Sequence, residues 1–397
     1  MIDTTIKTQY PVNTRKKLFY VWTILLTAWI VMTIIPPVFK DKTGRLFADT
    51  SDRNVYFERG KWFTEGTYPI SEYPQIPTWL FGIDHLASMW IRPSMQLAVY
   101  IAVFSLEMMF VLFLIFKVLL ELLPPELGNY AFLVLLPPIL YFTYNRFDIL
   151  PAFLCLIAYS AATRRRWTIV SVILAMATFT KWYPVLLFPG FFMYAKTTES
   201  KFQWKMILGF AITSSAILLL SYFYGGIDAI LAPYRFHAAR GMEFTAFPVL
   251  IDNLIHGILG AQISPPYFFL YFFILQISAP ALIFFIKFDS LAVLSDYCIV
   301  VTGIFILFSR IWSPQWFLWL LPFLIISAKN IKTAGWIIAY SIATYLCFPV
   351  FFDYYGSSSY QLQIISMVTY LILIVIIFQS FRGLAQVSIF AKMKTDR

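Results

Sequence analysis

Apolar runs of about 17–25 residues recur from one end of this chain to the other, each long enough to cross the hydrocarbon core of a bilayer. A chain built this way has few folding options, because backbone polar groups inside lipid must find partners within the segment itself. Helices satisfy that demand. The runs predict helices at roughly 18–37, 95–120, 127–144, 147–163, 167–180, 183–196, 204–224, 267–287, 291–308, 314–328, 333–352 and 360–380, each near the ~20 residues of a span. The expected fold is therefore an all-α polytopic bundle of about 12 transmembrane helices forming a single domain over residues 1–397.

Composition excludes the alternatives. Only 13% of the 397 residues are charged, against about 25% in soluble domains, and the mean hydropathy is +0.74. The formal charge of +10 is then no nucleic-acid signal; excess Lys and Arg in such a chain anchors cytoplasmic loops. Cys155, Cys298 and Cys347 all lie in apolar runs, and His85, His237 and His256 are far apart, so neither set has metal-ligand spacing. No metal and no cofactor is expected. Arg15, Lys16 and Lys17 precede an apolar stretch that is too long for a signal peptide and reads as a retained first helix.

Two hydrophilic excursions interrupt the pattern, residues 41–93 and 225–266. Threading the helices from a cytoplasmic N-terminus puts most basic residues inside, including the short loops "TRRRW" and "AKTTESKFQWK", and returns the C-terminus to the same side. Both excursions then fall outside. So do "YNRFD" (144–148), "TKWYP" (180–184), "YRFHAARGMEF" (234–244) and "SRIWSPQW" (309–316). Polar groups from distant parts of the chain are thus expected to converge on one extracytoplasmic face.

Several residues stand out there. Asp52 opens "DRNVYFERGKWF", a short amphipathic surface helix, where it is either a first-turn acid favoured by the helix dipole or a reactive carboxylate. Asp49 reads as a turn or cap residue. Glu72, in the kinked "EYPQIP", is either a solvated loop acid or a ligand for a sugar hydroxyl. Residues 76–90 read as a re-entrant or interfacial helix. Arg146, Lys181, Arg240 and Arg310 break the positive-inside pattern. Snorkelling accounts for any one of them, and an anionic ligand accounts for all four. His237, Arg240 and Glu243, spaced by three, are expected to share a helix face. Glu107 lies mid-span and is a functional candidate or a protonated interhelical bridge; Asp296 reads as structural.

Four segments together resemble a family. "DRNVYFERGKWFTEGTYPISEYPQIP", "NRFDILPAFLCLIAYSAATRRRWTIVSVILAMATFTKWYPVLLFP", "FHAARGMEF" and "FSRIWSPQWFLWLLP" occur in the order of similar motifs in the polyprenol-phosphate-mannose-dependent mannosyltransferases, glycosyltransferase family 87 of the GT-C superfamily. Tyr68–Pro69 inverts the family's Pro-Tyr, and Gln75 replaces a proline. The resemblance implies a GT-C bundle with extracytoplasmic loop helices, located in the cell membrane. It also implies inverting transfer of a sugar, mannose by analogy, from a polyprenyl-phosphate donor to a glycolipid or lipid-linked glycan acceptor. Asp52 matches the family's Asp and is the expected general base. Arg240 and His237 are expected on the donor phosphate, supported by Lys181 and Arg146. Asp49, Glu72, Tyr73, Glu243 and Gln315 are expected near acceptor or sugar. The competing readings are a lipid or sugar transporter (a flippase), a non-catalytic membrane scaffold, and another GT-C enzyme such as an oligosaccharyltransferase or aminosugar transferase.

Overall fold

A computed structural model describes residues 12–38, 42–49, 51–67, 71–260 and 265–395. The Tyr68–Pro69 pair, the first residue of the 41–93 excursion and residues 261–264 of the second lie outside them. Among the described residues there is no strand. The helices are α1 (Val12–Val38), α2 (Lys42–Arg45), α3 (Ser51–Thr64), α4 (Gln75–Ser88), α5 (Gln96–Leu122), α6 (Pro137–Asn145), α7 (Ile149–Thr163), α8 (Trp167–Thr180) and α9 (Phe188–Glu199). They continue as α10 (Trp204–Ala239), α11 (Phe247–Leu259), α12 (Pro265–Ser278), α13 (Leu291–Leu307), α14 (Phe317–Ser327), α15 (Ile331–Tyr345), α16 (Phe352–Tyr355) and α17 (Tyr360–Thr395).

Five segments are long and apolar enough to cross a membrane: Thr14–Ile35, Pro93–Leu122, Trp204–Ala239, Ile331–Tyr355 and Tyr360–Ala385. The predicted helix at 127–144 is instead a 3-10 segment, Pro125–Leu135, joined to α6 at a 58° bend. Pro137 and Pro138 cause the break, since neither can donate to the preceding turn. Six further apolar helices have 10–17 residues, short of the ~20 a full crossing needs.

Burial differs between helices. The long α1 and α10 are mostly exposed and turn apolar side chains such as Phe19, Ile212 and Phe223 outward, as lipid-facing helices do. The short α14 is buried along nearly its whole length, from Phe317 to Ile325. A helix apolar on every side belongs in an interior, and α14 packs against α7, α13 and α15. Its neighbour α15 begins with a capping box, in which Asn330 accepts from Thr333 N and Thr333 Oγ1 accepts from Asn330 N.

The first excursion folds as a helical hairpin. Helices α3 and α4 pack closely because Gly60 carries no side chain where Phe81 of α4 crosses it. Behind them runs α5. Asp84 of α4 is buried there and faces Glu107 of α5. Burial, with the Glu107 charge added, pushes the Asp84 carboxyl up to about 9. Glu107, mid-span on α5, thus has a buried acid of another helix as its neighbour.

The 225–266 excursion is largely helical too. Helix α10 breaks at Gly225 and Gly226, whose φ of 65° with ψ of −157° is open to glycine alone, and then resumes as far as Ala239. Arg240 is already extended, with φ −73° and ψ 130°. His237, Arg240 and Glu243 therefore do not share one helix face, contrary to their spacing.

Candidate functional site

One cavity of about 1920 Å³ is lined by the ten residues expected at the base, donor and acceptor positions, Asp49, Asp52, Glu72, Tyr73, Arg146, Lys181, His237, Arg240, Glu243 and Gln315, and by Arg310. The loop before α3, the loop before α4, the α6–α7 and α8–α9 junctions, the end of α10 and the approach to α14 all meet on it.

At its floor lies a charge network. Asp52 stands in the first turn of α3. Arg146, the extended residue that ends α6, is buried and sits between two acids. Its Nη2 donates to Asp49 Oδ2 at 2.8 Å, and its Nε lies 3.0 Å from Asp52 Oδ2 as an ion pair without hydrogen-bond alignment. Asn145 Oδ1 accepts from Asp49 N at 3.0 Å, while Ser51 donates to Asp49 through both its N and Oγ. Arg53, also buried, donates to the Asp49 carbonyl, donates to Ser105 Oγ and stacks on Tyr144 at 4.7 Å.

The two acids differ in state. Burial raises the Asp49 carboxyl, but the Arg146 charge and the Ser51 hydrogen bonds outweigh it, and the group ends below the usual carboxylate range. For Asp52 burial wins over Arg146, and the neighbouring Asp49 and Asp148 push it further up. Asp49 is thus a fixed anion that holds Arg146. Asp52, with its side chain 35% exposed, is the one that faces the cavity with raised basicity. Arg146 was expected on a phosphate; its guanidinium is instead engaged by these two carboxylates.

Lys181 follows α8, where the helix gives way to extended backbone. Its ammonium lies 3.4 Å from Asp148 Oδ1 and over the rings of Phe147 (4.5 Å), Tyr73 (5.5 Å) and Trp319 (5.8 Å). Trp319 Nε1 donates to the same Asp148 oxygen at 2.9 Å. Asp148, buried inside "NRFD", thereby fixes both Lys181 and the aromatic wall, a role sequence reading gave to neither it nor Trp319. The "RFD" triplet was visible, but its partner stands 171 positions away.

Further lining comes from the loop before α4, the end of α10 and the segments before α11 and α14. Glu72 pairs with Arg59 at 3.2 Å, and its carbonyl contacts His237 Nε2 at 2.9 Å. His237 also packs edge-on against Trp182. Arg310 donates to the His237 carbonyl, and its own carbonyl accepts from Glu243 N. Glu243 pairs with Arg240 and accepts from Trp312 N at 3.0 Å. Burial raises the Glu243 carboxyl despite Arg240. Gln315 accepts from Ser313 Oγ at 2.7 Å. Phe272, Phe273 and Phe308 line an apolar side of the same cavity. Among the described residues no three His, Cys, Asp or Glu side chains gather closely enough to hold a metal ion.

The chain matches no protein-family model. No curated protein matches it significantly.

Proposed function

We propose that this protein is a membrane glycosyltransferase of GT-C type, with about twelve membrane crossings once the short apolar helices are counted. Its cavity opens on the extracytoplasmic face and both termini are cytoplasmic. The reaction is transfer of a sugar, mannose by family resemblance, from a polyprenyl-phosphate donor to a glycolipid or lipid-linked glycan. One observation carries the reading: a carboxylate of raised basicity, Asp52, shares a cavity with Lys181, Arg240, Arg310 and His237 and with an apolar wall. That set suits an amphiphilic phosphate ester beside a hydroxyl.

The acceptor hydroxyl attacks the anomeric carbon on the side opposite the phosphate. Its proton passes to Asp52 Oδ, and the bond between that carbon and the phosphate oxygen breaks with the electron pair. The configuration inverts. The departing polyprenyl phosphate gains negative charge, which Lys181 and Arg240 stabilise in a site of low dielectric. Arg146 keeps Asp52 ionised and oriented, and Asp49 keeps Arg146 in place.

The test is incubation of the purified protein with a panel of polyprenyl-phosphate sugars and lipid acceptors, reading donor consumption and product mass. Transfer by the parent and its loss in Asp52→Asn support the reading. Flux across proteoliposomes without any transfer would replace it with a transporter.

A further inference from the structure

A second, smaller cavity of about 320 Å³ lies between α5, α7 and α8, at the ends of these helices remote from the large one. The two sites bracket α7: Arg146 and Asp148 precede its first turn, and Arg164 follows its last. Its 15 residues separate them by about 22 Å at 1.5 Å per residue.

The lining has two characters. Phe153, Ile157 and Val118 form an apolar bed. Lys117, Arg164 and Arg166 supply three cations, against one carboxylate, Glu121, which pairs with Arg164 at 3.4 Å. Helix α8 begins at this rim with Arg166 as its N-cap, and no side chain caps it. Its first-turn N–H groups add to the positive potential there.

We infer that this cleft binds an anionic phospholipid, with the phosphodiester at Arg164, Arg166 and the start of α8 and an acyl chain along Phe153, Ile157 and Val118. Charge complementarity selects the headgroup. The apolar bed selects a lipid over a soluble phosphate, because a free phosphate leaves it empty. The site is independent of the transfer reaction proposed above, since none of its residues lines the large cavity.

The experiment is native mass spectrometry of the full chain in neutral detergent, titrated separately with dioctanoyl phosphatidylglycerol, dioctanoyl phosphatidylcholine and glycerol 3-phosphate. The expected order is tight retention of the first, weak retention of the second and none of the third. Arg164→Gln with Arg166→Gln lowers phosphatidylglycerol retention about thirtyfold, as expected for two cations near a lipid surface. Glu121→Gln raises retention about threefold, by removing the one opposing charge. Equal retention of both lipids, or an unchanged affinity in both variants, would overturn the assignment. Retention of glycerol 3-phosphate as tight as that of the lipid would overturn it in favour of a soluble-anion site.

Discussion

Arg146 and Asp49 form a buried ion pair at 2.8 Å, with about 5% and 4% of their side chains exposed. Arg146 also lies 3.0 Å from Asp52, the more exposed of its two acids. Removing Arg146 leaves Asp49 charged and uncompensated in the interior, which costs about 3–5 kcal/mol. Arg146→Ala is therefore expected to lower the thermal unfolding midpoint sharply in detergent. Asp52→Ala, at a partly exposed position, should lower it far less, and equal losses would contradict the arrangement.

Asp52 must be ionised to accept a proton, so activity should rise with pH along a limb lying above the ordinary carboxylate range, because burial raises this group. Asp49 contributes to that rise, whereas Arg146 opposes it. Asp49→Asn should move the limb of kcat/KM to lower pH and Arg146→Gln should move it to higher pH. Asp52→Asn should reduce kcat by about 10²–10⁴-fold, the usual contribution of a general base, with little change in folding.

Asp84 gives a stability test in the opposite sense to a salt-bridged acid. Folded, it holds its proton to about 9; unfolded, it releases it near 3.8. Between those values the folded state binds more protons, so this group's contribution to stability falls as pH rises. Asp84→Asn should remove the fall. Midpoints measured across this window should show the variant gaining on the parent as pH increases.

Gly60 ties packing to the site. A β-carbon there would collide with the Phe81 carbonyl and force α3 away from α4. Gly60→Ala should cost about 1–3 kcal/mol, the range for overpacking. It should also depress transfer, because the same helix carries Asp52. Normal kcat in a destabilised variant would show that the start of α3 does not follow its middle.

Much of this was legible in one sequence. The segment "DRNVYFERGKWF" folded as helix α3 with Asp52 in its first turn, and 76–90 became α4, because local helix-start chemistry decides such elements. The four cations that break the positive-inside pattern, Arg146, Lys181, Arg240 and Arg310, all line one cavity. What periodicity could not supply was pairing at a distance. Nothing near Glu107 announces Asp84, and nothing near Asp148 announces Trp319. Arg146 looked like a free cation because its two acids stand almost a hundred positions earlier. Hydropathy also treated 127–144 as one helix, since an average over the window conceals what Pro137 and Pro138 do to the backbone.

The shortness of α7 has a consequence for where it can stand. Its ~22 Å falls well short of the ~30 Å of hydrocarbon in a typical membrane. Most of its side chains, from Ile149 to Ala162, are buried, and α5, α8 and α14 pack around it. Neighbouring helices rather than lipid therefore absorb the mismatch, and the bilayer need not thin on account of this helix.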